Sequence, residues 1–296
     1  MVQVGRINRK GLAFGITLYG AALVVMAIVV YPVWFIVVAS FSDPTAVSTG
    51  KVWFLPVGFT LDGYRALLAN GTIWIGYRNT ILYAIAGTFI ALAVNVPAAY
   101  ALSRTDLAFR WPITIYFLIT MFFSGGLIPT FLVVQDFGLY DTFWVMVLPF
   151  SVSIYNIIVA RTFFQGNIPS ELREAAEMEG CGNIRFFFTM VLPLSKAIIS
   201  VLALWSLVGH WNSYFTALVY LRDAALYPLQ LILRNILVSN QMMSAMGTGE
   251  AAQIALRTAS LIRYAAIIVA TLPVMLMYPF VQKHFNQGVM IGAVKG

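Results

Sequence analysis

The chain has 296 residues, 60% of them hydrophobic and only 10% charged, with a formal net charge of +7. A soluble globular domain carries roughly 25% charged residues, so the composition excludes an ordinary soluble domain and sets the chain in lipid. A single cysteine, Cys181, excludes an intrachain disulfide, and nothing in the sequence points to a metal site.

A bilayer crossing needs about 20 mostly apolar residues. Six runs meet that need: 14–41, 77–103, 112–134, 142–164, 197–220 and 261–282. They are long and continuous, not short alternating segments, so spanning helices are expected and not a barrel. The expected fold class is all-α: a polytopic membrane protein of six transmembrane helices, forming one domain over 1–296.

Arg6, Arg9 and Lys10 precede the first run and no cation follows it closely. That run is too long for a signal peptide and lacks a small-residue cleavage site, so an uncleaved first helix is expected. With the N-terminus inside, 11 Lys and Arg fall on the inner side and 7 on the outer side. This bias predicts that both termini are cytoplasmic. The basic charge is therefore a topology signal and not a nucleic-acid footprint.

Segment 43–76 is expected outside, with "FLPVGFTLDGYRALLANG" reading as a short interfacial helix. The connections 104–111 and 135–141 are short, the first inside and the second outside. Prolines 32, 97, 129, 149, 273 and 279 lie within the apolar runs and should each kink or locally unwind a helix. Such prolines serve either simple shape adjustment or a hinge or cavity-lining backbone, and "FSGGLIPT" (123–130) is the best case for the latter, because Ser124, Gly125, Gly126 and Pro129 fall within two turns.

Segment 165–196 is expected inside and departs from the oily pattern. Ser170 is a candidate N-cap, and Glu171 and Glu174 suit the positive end of a helix. Gly180 suits the left-handed residue that ends one. A short helix over 171–179 follows, with Leu172, Ala175 and Ala176 on one face. A second short helix should begin near Asn183 and carry Phe186, Phe187 and Phe188 before Pro193. A plain connector between two spans needs far fewer residues. An exposed helix with a small-residue ridge suits the groove of a partner.

These residues carry a resemblance. Glu174-Ala175-Ala176, three residues, Gly180, nine residues, then Met190-Val191-Leu192-Pro193 resembles the EAA loop of ABC-importer permeases. Met190 stands where Ile or Val is usual. The tail "GVMIGAVKG" resembles the ending of the smaller permease subunit in carbohydrate-uptake importers of the maltose-transporter type. "WNSYFTALVYL" (211–221) and "YPLQLILRNI" (227–236) resemble that subunit's fifth helix and following outer loop, and the latter resembles permeases for larger glycans, including the alginate-importer type.

The resemblance implies a permease subunit of a binding-protein-dependent importer in the bacterial inner membrane, moving an oligo- or polysaccharide. It implies that Glu171, Glu174, Ala175, Ala176, Gly180 and Pro193 belong to the segment docking on an ATP-binding subunit. It implies that the tail, with Gly288, Gly292 and Lys295, reaches between two such subunits. The implied partners are a larger second permease, two ATP-binding subunits, an extracellular or periplasmic solute-binding protein and membrane lipid, with no nucleic acid.

No complete phosphate loop occurs: "STGKVWF" lacks the upstream glycine and the following Ser/Thr. ATP and Mg are thus expected on partner subunits, with no cofactor, metal or catalytic residue in this chain. A secondary transporter acting without an ATPase is the alternative. It should bury ionisable groups within the spans, yet the middles of the six runs hold no Asp, Glu, Lys or Arg. A membrane-embedded enzyme lacks a catalytic constellation, with only His210 and His284 available. Polar groups in a span usually face the interior. Tyr155, Asn156, Trp211, Asn212 and Tyr214 are the candidates to line a translocation path, and packing against neighbouring helices is the other role open to them. The same two roles stand for His210.

Overall fold

A computed structural model of the chain describes residues 9–246, 259 and 262–276. All regular structure among the described residues is helical. Residues up to Asn70 together with Ile236–Thr271 form one compact unit, and Gly71–Asn235 together with residues from Leu272 form a second.

In the first unit, α1 (Arg9–Ser40) runs unbroken through Pro32. Its 32 residues extend about 48 Å at 1.5 Å per residue, longer than the ~30 Å hydrocarbon core. Its side chains from Leu18 to Trp34 are exposed and apolar, as lipid-facing positions must be. The short helices α2 (Pro44–Ser48) and α3 (Asp62–Leu68) follow. Asp43 caps α2 through the Thr45 amide at 2.8 Å. Tyr64 on α3 donates to Ser40 Oγ at 2.8 Å, fixing α3 to the end of α1.

The second unit is organised around α4 (Gly71–Ser103), which continues through Pro97. Pro32 and Pro97 therefore do not unwind their helices. The buried face of α4 reads Gly76, Thr80, Tyr83, Gly87, Ala91, Asn95, Ala99 and Leu102. That is the three-to-four-residue spacing of a helix seam, and it is rich in small residues, which let neighbours approach closely. Its main neighbours are α7 (Ile154–Asn167) and α11 (Lys196–Trp211). One buried cluster, including Val96, Ile157, Phe164, Ala176 and Leu202, lies towards the C-terminal end of α4. Another, including Tyr83, Val145, Ala217 and Leu231, lies towards its middle and N-terminal part.

The run 112–134 is not one straight helix. It breaks at Phe123–Gly126 into α5 (Arg110–Phe122) and α6 (Leu127–Asp136), bent by 113°. The break falls within "FSGGLIPT", with Gly126 at φ 84. Pro129 sits in the first turn of α6, where a missing amide costs no helical bond. The run 142–164 is helical as a 3-10 turn at Phe143–Met146 and then as α7, with irregular backbone between them around Pro149. The run 197–220 divides into α11 and α12 (Tyr214–Tyr220). An 18-residue helix, α13 (Leu229–Met246), follows, and a further helix, α14, covers Ile262–Leu276.

Candidate functional site

The charged segment forms a built structure. The helix expected at 171–179 is α8 (Ser170–Met178). Its N-cap is Pro169, with no side-chain cap bond, so Ser170 is the first helical residue and not the cap. Pro169 enters at ψ 143, and its ring fixes the chain direction into the helix. The end is a Schellman motif: Gly180 at φ 75 donates to Glu177 O, and Cys181 donates to Ala176 O, each at 2.9 Å.

The alanine ridge expected on one face is divided. Ala176 and Leu172 pack into the core, and Ala175 is exposed beside Glu171 and Glu174. The outward face is therefore Glu171, Glu174, Ala175 and Met178, at i, i+3, i+4 and i+7. Met178, 89% exposed, was not singled out by sequence.

Beyond it, α9 (Asn183–Phe186) runs through a π turn (Phe187–Val191) into α10 (Leu192–Leu194). Pro193 is the second residue of α10. Its ring excludes the carbonyl four residues back, and the widened turn just ahead of it makes room. The segment Asn183–Leu194 crosses α11 at 82°, so it lies nearly across the direction of the following helix.

An ionic link joins α8 to α4. Asp106, just past the end of α4, pairs with Arg104 and with Arg173 of α8, the latter at 3.1 Å. Arg104 holds the Asp106 carboxyl well below the usual carboxylate range, so the link stays ionised at neutral pH.

A second feature is a cavity of about 540 Å³ between α4, α7, α11 and α12. Tyr155, Asn156 and Asn212 line it, with Trp205, Ser206 and His210. Tyr155 and Trp205 face one another at 5.6 Å between ring centroids. Asn156 begins α7, where Ser153 Oγ accepts from its backbone amide at 3.3 Å. Asn212 donates to Val208 O of its own helix at 3.0 Å. Trp211 points elsewhere: it is buried, with its ring 6.5 Å from that of Tyr77. Tyr214 packs on Phe215 and does not line the cavity. His210 lines the cavity, and its buried ring rests on Gly87.

Residues that sequence reasoning missed tie α4 to the irregular backbone around it. Asn95 on α4 donates to Ser151 O at 2.9 Å and accepts from the Ser153 amide at 3.1 Å, pinning the irregular backbone that leads into Tyr155. Asn79 donates to Ala225 O and Tyr227 O, Tyr83 donates to Leu226 O, and Thr80 Oγ1 accepts from the Leu229 amide. Polar side chains on an apolar helix were the available signal, because each must find a partner in lipid.

Residues 69–291 match the family described as the binding-protein-dependent transport system inner membrane component. The chain belongs to this family. It is 40% identical, over 97% of its length and 100% of the relative's, to the polygalacturonan/rhamnogalacturonan transport system permease protein of Bacillus subtilis (strain 168). It is 37% identical to protein LplC of the same organism, over 91% of this chain and 90% of that one. A solved chain described as part of a bacterial ABC transporter importing the acidic polysaccharide alginate shares 31% identity and a TM-score of 0.84, covering 95% of this chain and 100% of its own. The protein is thus an ABC-importer permease and a multi-pass inner-membrane component. As such it is a transport subunit that works with a partner permease, an ATP-binding subunit and a solute-binding protein.

Proposed function

We propose that this permease forms half of the pathway for an acidic oligo- or polysaccharide. The observation that carries this reading is the cavity, where an aromatic pair, Tyr155 and Trp205, faces amides and hydroxyls at Asn156, Asn212 and Ser206. Aromatic faces stack on sugar rings, and amides and hydroxyls bond to ring hydroxyls. The relatives named for polygalacturonan/rhamnogalacturonan and alginate transport support an acidic glycan. The cavity-lining residues include no Lys or Arg, so carboxylates are met here by neutral donors.

The remaining architecture is proposed with it. The chain crosses the membrane six times, over the runs named from sequence, with both termini cytoplasmic. It pairs with a larger related permease, and two ATP-binding copies carry ATP and Mg. The outward face of α8, with Glu171 and Glu174, docks on one of them, and Gly180 and Pro193 set the ends of the docking segment. Gly288, Gly292 and Lys295 lie outside the described residues, and their contact with the ATP-binding pair rests on the resemblance.

The test is ATP turnover by the purified complex with its solute-binding protein. Oligogalacturonides or alginate fragments should stimulate it, neutral maltooligosaccharides should not, and Trp205→Ala should blunt the stimulation. Stimulation by neutral glycans alone would overturn the acidic-substrate reading.

A further inference from the structure

Two adjoining cavities at the Arg104 end of α4 share Tyr100 and Arg104. One, of about 380 Å³, is walled by Arg104, Arg110 and Arg173. The other, of about 570 Å³, is a groove whose apolar walls include Pro97, Leu107, Ile184, Phe187 and Phe188. Ile184 and Phe188 are largely exposed.

The donors of the basic cavity outnumber its acceptors. Asp106 serves Arg104 and Arg173, Glu177 also reaches Arg173 at 3.6 Å, and Asn183 Oδ1 accepts from Arg104. Arg110 pairs with no carboxylate among the described residues, and its guanidinium donates to the Arg104 carbonyl at 3.2 Å. Arg161 stands close enough to repel Arg110. Tyr100 stands on the wall common to both cavities, with its hydroxyl buried beneath the surface beside Arg104. A cluster of guanidiniums favours an anion with several acceptor oxygens.

We propose that this composite site binds an anionic phospholipid, with its phosphate between Arg104 and Arg110 and an acyl chain along Leu107, Phe187 and Phe188. The apolar groove decides for a lipid over free phosphate, because its apolar walls adjoin Arg104, which engages the groove's polar residues Asp106 and Asn183, and a soluble anion makes no use of those walls. The inference rests on the topology proposed above, which sets this end of α4 at the cytoplasmic leaflet, where anionic lipids attract basic clusters. Asp106 bonds both Arg104 of the site and Arg173 of α8, so a bound lipid braces the joint between the membrane helix and the docking helix. The outward face of α8 takes no part and stays free.

Native mass spectrometry of the purified full-length complex tests this, after reconstitution in nanodiscs of mixed phosphatidylglycerol and phosphatidylcholine. The wild type should retain phosphatidylglycerol in preference to phosphatidylcholine. Arg110→Gln should lower that retention about five-fold, the effect of one basic residue near an anionic surface, and Arg110→Lys should restore part of it. Phe188→Asn, at an exposed position, should also lower retention, and it carries the test if Arg110→Gln fails to assemble. Millimolar inorganic phosphate should not displace the lipid.

Equal retention of the two lipids, undiminished retention in the folded variants, or displacement by inorganic phosphate would overturn the proposal. Sidedness is read separately, with an impermeant thiol reagent on Glu179→Cys in a Cys181→Ser background. Labelling from outside would overturn the topology alone.

Discussion

Gly87 meets the His210 ring where α4 and α11 pack beside the cavity. A Cβ placed there would lie 2.3 Å from His210 Nε2 and within 2.6 Å of two further ring atoms, so the whole imidazole would have to move. Overpacking of this kind costs about 1–3 kcal/mol. Gly87→Ala should therefore lower the thermal midpoint of the purified complex, and adding His210→Ser should recover part of the loss. A single variant as stable as the wild type would mean that α4 and α11 do not approach this closely. At the 135–141 connection, Asp141 adopts φ 57 and its carboxylate accepts from the Arg222 and Asp223 amides at 2.7 and 2.9 Å. The Asp223 amide, and then that of Arg222, hold this carboxyl below its ordinary range. A folded-state pKa below the unfolded one stabilises above the unfolded value and is lost as pH falls through the folded one. Asp141→Asn tolerates the same backbone angle but lacks the charge. Its stability deficit against wild type should be constant from neutral pH down to about 4 and shrink below that. A deficit that grows on acidification would reverse the assigned sign.

At the scale of elements, α8 shows what local sequence controls and what it does not. Its helix and its glycine stop were legible, because acidic residues near the start and Gly180 at the end act within one turn. The division of the alanine pair was not, because only packing against the core decides that Ala176 turns inward and Ala175 outward. The same contrast runs through the membrane helices. The long helices α1 and α4 follow from composition alone. The irregular stretch before α7 does not, since it is fixed by Asn95 reaching across from α4 to Ser151 and Ser153. The outward face of α8 leads to a direct expectation. Glu174→Lys reverses a charge at the centre of that face without touching the core, so the complex should insert normally yet release its ATP-binding subunit more readily. Co-purification with a tagged ATP-binding subunit should fall several-fold. Asp106→Asn differs, because it loosens the link from Arg104 to Arg173 behind α8. It should leave co-purification nearly intact and lower transport per ATP hydrolysed. If both variants lost only the subunit, the link would have no role separate from docking.

For the whole molecule, the question is whether the polar cavity belongs to a moving pathway. Polar residues on apolar helices marked Tyr155, Asn156 and Asn212 from sequence, and the structure brings these three to one cavity. Trp205 and Ser206 joined them only through the fold, because nothing local separates a cavity-lining tryptophan from a lipid-facing one. Trp211 went the other way, buried near Tyr77. The cavity is bounded by α4, α7, α11 and α12 of one chain. An importer that opens alternately to each side should expose such a cavity in one state and close it in another. Asn156→Cys and Asn212→Cys, in a Cys181→Ser background, report this directly. Asn156 is buried and Asn212 exposed on the cavity wall, so position 212 should react faster with an impermeant thiol reagent. Both rates, measured from outside, should change by at least about ten-fold between the nucleotide-free complex and one trapped with ATP, since a shift of 1.4 kcal/mol in the accessible state is a factor of ten. Labelling that is equally slow in every nucleotide state at both positions would leave these asparagines to packing alone and move the pathway to the partner permease.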